Sequence, residues 1–96
     1  MSSTQHLSRL FHCFSEDARI TAWHLSLYMA IYFLWQSTGM KKSINISRRK
    51  LMKLSRIQSN ITYHKCISQL QDYGYIRYTP SYHPLLGSRV ELLLVP

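Results

Sequence analysis

At 96 residues, with 46% apolar residues and only three glycines and three prolines, the chain is one folded domain. That excludes a disordered tract or two units on a flexible linker. A formal net charge of +8, twelve Lys and Arg against four Asp and Glu, points to a polyanionic partner and leaves few carboxylates for acid–base chemistry.

Residues 1–15 carry Leu7, Leu10, Phe11 and Phe14 at spacings of three and four, which predicts a short amphipathic helix or arm ahead of a domain over 16–96. They hold neither the apolar run nor the cleavage site of a signal peptide. Thr21 is the expected N-cap of a first long helix, and Gly39 stops it. The segment over 22–35 is apolar nearly all round, but a bilayer span needs about 20 such residues, so a buried helix is expected and no membrane partner. Trp23, Leu27, Tyr28, Ile31, Leu34 and Trp35 are its candidate core residues. Met29, Tyr32 and Phe33 are left facing outward. A helix apolar on every side must be covered on every side, which in so small a protein predicts a homodimer.

The alternation Ser43-Ile44-Asn45-Ile46-Ser47 predicts a small strand. Ser47 then caps a two-turn helix over 48–54, residues 55–58 turn, and Ser59 caps a helix running to Tyr73 and stopped by Gly74. Tyr63, Cys66, Ile67, Leu70 and Tyr73 form its apolar stripe. Residues 75–79 and 90–95 read as two strands joined by a Pro- and Gly-containing loop. The fold class is therefore α+β: three main helices, a small strand and a C-terminal hairpin, in the order of a winged helix-turn-helix.

Eight of the twelve basic residues lie between Lys41 and Lys65, and no acid falls among them. The segment from Ile57 through Ser59, Asn60, Ile61, Thr62, Tyr63, His64 and Lys65 to Leu70, followed by Gly74, resembles the recognition half of bacterial winged-helix regulators, including the MarR-like and replication-initiator types. The stretch Tyr78-Thr79-Pro80-Ser81-Tyr82-His83-Pro84 with Gly87-Ser88-Arg89-Val90 looks like the wing of small winged-helix proteins of bacterial mobile elements. The resemblance covers residues 18–95. It implies sequence-specific binding of double-stranded DNA, transcriptional regulation and no catalytic residue.

With the stripe from Tyr63 to Leu70 turned inward, Ile61, His64, Lys65 and Ser68 face outward to read base edges, and Asn60 and Thr62 flank the first turn. Ser59 and the helix N-terminus suit a phosphate. Arg48, Arg49, Lys50, Lys53 and Arg56, with Lys41 and Lys42, would grip the backbone, and Arg77 and Arg89 would frame the wing. The alternative to DNA is a protein-interaction module of a replication or mobile-element complex. Cys13 and Cys66 form no CxxC spacing, which suits a reducing cytoplasm, although a single bridge between them is compatible with the sequence. His6, His12 and His24 with Cys13 match no common zinc pattern, and neither metal nor cofactor is expected.

Overall fold

A computed structural model describes residues 3–81 and 87–93. Tyr82, His83 and Pro84 of the expected wing, Val95 at the end of the expected last strand, and the His6 side chain lie outside the described residues. Within them the chain forms a small α+β domain of four helices and one three-stranded antiparallel sheet.

Helix α1 (Ser3–Glu16) turns Leu10 and Phe14 into the core and leaves Leu7 and Phe11 exposed. Helix α2 (Ala22–Ser37) starts at Thr21, whose hydroxyl accepts the His24 backbone N–H, while His24 Nδ1 accepts the Thr21 N–H at 2.8 Å. This reciprocal capping box uses a histidine at the third helical position, where Glu or Gln is usual. His24 is buried, and its Nε2–H donates to Gln69 Oε1 at 2.7 Å, so the ring that caps α2 also ties it to a later helix. Leu27, Tyr28 and Ile31 are fully buried along α2.

Two residues of α2 depart from the sequence expectation. Trp23, expected in the core, is 49% exposed, while its neighbour His24 takes the buried position in the first turn of α2, hydrogen-bonded to Gln69. Tyr32, expected outward, is buried, with its ring 5.5 Å from Trp35. Positions 28, 32 and 35 adjoin on the helix surface, so one wall of aromatic side chains extends the core around α2. Met29 and Phe33 do face outward.

Strand β1 (Ile44–Ile46) buries its two isoleucines and exposes Asn45, as alternation requires. Helix α3 (Arg48–Ser55) is capped by the Ser47 hydroxyl and buries Leu51 and Ser55. The Ser26 hydroxyl of α2 donates to the Ser55 carbonyl, one of the groups that a helix end leaves without an internal partner. Helix α4 (Asn60–Asp72) is capped by Ser59 and buries Tyr63, Cys66, Ile67 and Leu70. Beyond it Gly74 takes φ +88°, and the Tyr75 N–H reaches the Leu70 carbonyl at 2.9 Å, the hydrogen-bond pattern of a glycine-terminated helix.

Strands β2 (Ile76–Thr79) and β3 (Ser88–Leu92) pair antiparallel, with Tyr78 opposite Val90. Strand β1 joins the other edge of β3, with Ile44 also opposite Val90, so the sheet order is β1-β3-β2. The last strand starts at Ser88, two residues before the predicted start at 90, because Ser88 and Arg89 find partners in β1. The apolar face formed by Ile44, Ile46, Ile76, Val90 and Leu92 closes the core against the helices. Cys13 is exposed and Cys66 buried, and both are free thiols, so the single bridge compatible with the sequence is not formed. Burial pushes the Cys66 thiol up. No helix among the described residues is long and apolar enough to cross a membrane.

Asp17 locks the end of α1 onto the start of the sheet. Its carboxylate accepts two guanidinium hydrogen bonds from Arg19, both at 2.9 Å, and the Tyr75 hydroxyl at 2.7 Å. Arg19 also lies over the Tyr73 ring, 4.2 Å from its centroid. The Arg19 guanidinium first, and the Tyr75 hydroxyl second, hold the Asp17 carboxyl well below the usual carboxylate range. A depressed native pKa contributes stability that is fully present above the unfolded value of about 4 and lost as pH falls toward the native value. The melting temperature is therefore expected to fall between about pH 4 and pH 2 by more in the wild type than in Asp17→Asn, as followed by circular dichroism. Equal acid sensitivity of the two proteins would remove Asp17 from this role.

Candidate nucleic-acid interface

Helix α4 is amphipathic in the sense the sequence predicts. Its buried stripe pins it against α2 and the sheet, and the opposite side exposes Ile61, His64, Lys65 and Ser68 at spacings of three and four. Thirteen residues make a rod of about 20 Å, long enough to lie along a DNA groove. Ile61 is 81% exposed in the first turn, an unusual place for a β-branched apolar side chain with no packing role. Asn60 is exposed beside it, whereas Thr62 is half-buried and its backbone N–H is taken by the Ser59 hydroxyl at 3.2 Å. The exposed His64 ring sits 5.2 Å from that of Tyr63, edge to face. Burial raises the Tyr63 hydroxyl to about 12, so it stays protonated and neutral.

Helix α3 packs on α2 through Leu51 and presents Arg49, Lys50 and Lys53 outward, with Arg48 exposed at its start. Arg56 ends the helix in the left-handed region, at φ 66°. Glycine would hold that backbone at about 1 kcal/mol less strain. Among the described residues, ion pairs join Arg19 to Asp17 and Arg77 to Glu91, and none involves Arg48, Arg49, Lys50, Lys53, Arg56 or Lys65. Within the acid-free window of the sequence, Lys42 does share a hollow of the sheet with Glu91.

The two arginines predicted to frame the wing are held differently. Arg77 and Glu91 face each other across β2 and β3 and approach to 3.4 Å. Arg89 donates to the Ser43 hydroxyl at 2.8 Å, which ties the chain before β1 to β3. Lys42, Arg77 and Arg89 surround a hollow of about 280 Å³ on the outer face of the sheet. Lys41 is exposed, and its carbonyl accepts the Trp35 indole N–H at 3.0 Å. Of the predicted residues, the structure thus brings Lys42, Arg77 and Arg89 together around one hollow of the sheet, which Glu91 also lines.

Sequence reasoning missed His24, Ser26 and Gln69, which fix α2 to α3 and α4 and so set the frame for the exposed row. The signal for His24 was its place three residues after Thr21, the reciprocal position of a capping box. Nothing in the sequence pairs it with Gln69. Among the described residues no cluster of three His, Cys, Asp or Glu side chains is placed to hold a metal ion.

Set against protein-family models, curated proteins and solved structures, the chain matches none of them.

Proposed function

We propose that the chain is a winged helix-turn-helix protein that binds double-stranded DNA in a sequence-specific manner, as a transcriptional regulator. The observation that carries this reading is the exposed row Ile61, His64, Lys65 and Ser68 on α4, beside an α3 whose outward cations have no acidic partner. The element order and the sheet order β1-β3-β2 agree with a winged-helix plan, in which the helix after the turn enters the major groove and the hairpin flanks it. Lys65 donates to guanine or phosphate, His64 and Ser68 make single hydrogen bonds to base edges, and Ile61 touches a thymine methyl. Arg48, Arg49, Lys50, Lys53 and Arg56 supply the sequence-independent part of the affinity. Arg77, already engaged by Glu91, contributes less than Arg89.

Selection of bound duplexes from a random pool at low, fixed salt tests the reading. A recurring motif is expected, and His64→Ala is expected to change its preferred bases more than it changes total binding. A pool that yields no retained duplex would overturn it and favour the second reading, a protein-interaction module. That reading is favoured by the exposed apolar side chains Phe11, Met29 and Phe33.

A further inference from the structure

Between α1 and α2 runs an open hollow of about 660 Å³, lined by Leu7, Leu10, Phe11, Phe14, Leu25 and Met29, with Ser8 and Ser26 the polar exceptions. Phe11 is 62% exposed on one wall, and Phe33, 56% exposed, extends the other wall beyond the hollow. We propose that the occupant of this groove is a second copy of the chain, packed twofold through α1 and α2.

Three observations select that occupant. The outward side of α2 carries Ala22, Ser26, Met29 and Phe33, a four-three-four spacing that keeps one seam facing a partner helix. With the dyad between positions 27 and 28, an antiparallel copy brings Phe33 opposite Ala22 and Met29 opposite Ser26, so the same patch serves both sides, as an isologous interface requires. Small Ala22 and Ser26 allow the two α2 backbones to approach. The second observation is charge. Between Arg19 and Lys41 the sequence has no Asp, Glu, Lys or Arg, so two chains of +8 can meet here without opposing charges on the seam.

The third is area. Leu7, Phe11, Met29 and Phe33 leave roughly 400 Å² of side chain exposed per protomer, given about 200 Å² for a free aromatic residue. Across a twofold this is about 800 Å², and flanking Trp23, Leu25 and Ser8 bring the pair toward the about 1,200 Å² of a specific interface. On the DNA-binding reading, such a dimer would present two α4 helices to two half-sites about 34 Å apart.

The test uses the full chain without DNA, so it succeeds or fails independently of that reading. In sedimentation from nanomolar to hundreds of micromolar, the wild type is expected to pass from monomer to dimer. Phe11→Glu and Phe33→Glu, both at exposed positions, are expected to retain the wild-type circular dichroism and weaken the dimer at least about 100-fold. Met29→Leu and Ile61→Glu, the latter on α4, are expected to leave it intact. A wild type that stays monomeric throughout, a dimer indifferent to both groove variants, or one broken by Ile61→Glu would overturn the proposal. A monomer that takes up detergent or an acyl chain in the groove would overturn it as well.

Discussion

Raising salt from 50 to 200 mM is expected to weaken duplex binding by about a thousandfold, if six cations of α3, its turn and α4 each meet a phosphate. Each neutralised phosphate releases counterion, so the logarithm of affinity falls with the logarithm of salt at a slope of about −5 for six contacts on B-form DNA. The six are Arg48, Arg49, Lys50, Lys53, Arg56 and Lys65, none of which has an acidic partner among the described residues. Arg49 and Lys53 share the outward face of α3, one turn apart. Arg49→Ala combined with Lys53→Ala is therefore expected to lower the slope by about two and leave the preferred sequence in place. Fluorescence anisotropy on a labelled duplex measures both quantities. A slope that does not respond to the double variant would take α3 off the phosphate backbone.

Gly87→Val is expected to cost about 3 kcal/mol, the largest single-residue loss we anticipate outside the deep core. Gly87 has φ +65°, and a Cβ there would lie 2.6 Å from the Ile46 carbonyl oxygen, a backbone atom that cannot turn aside. A β-branched residue adds its own aversion to positive φ. Either the chain before β3 or the end of β1 must shift, and the Ile46–Ser88 pairing is the first to go. Gly74, at φ +88° but with open space around its Cβ position, provides the contrast. Gly74→Ala is expected to cost about 1 kcal/mol, from backbone conformation alone. For a domain of this size, 3 kcal/mol corresponds to a melting temperature lower by roughly 12–24 °C. Equal losses at the two glycines would exclude the steric account.

The elements were legible in the sequence because their ends carry local chemistry. Thr21, Ser47 and Ser59 each cap a helix, and Gly74 stops one. The alternation in 43–47 and the β-branched and aromatic run at 75–79 placed two strands to within about a residue or two. The inward stripe of α4 was legible for the same reason: four apolar positions at helical spacing leave one side for the core. Helix α2 was harder. With apolar residues around the whole cylinder, periodicity gives no orientation, and only the packing decides that Tyr32 goes in and Trp23 stays out. Long-range polar contacts were illegible in principle, since no local pattern joins His24 to Gln69 or Asp17 to Tyr75. The candidate interface was legible as a charge run. What the sequence did not contain is that Arg77 is held by Glu91 and Arg89 by Ser43.

The position of β1 in the sheet has a consequence for how the chain assembles. Its partner is β3, made later than α4 and last of the strands among the described residues, and not the β2 that follows α4. A nascent chain halted after α4 can cap and pack its helices, but Ile44 and Ile46 still lack the strand that covers them. Sheet closure must then wait for synthesis to reach Val90 and Leu92, and until that moment both edges of the 44–46 segment stand open to pairing with other chains.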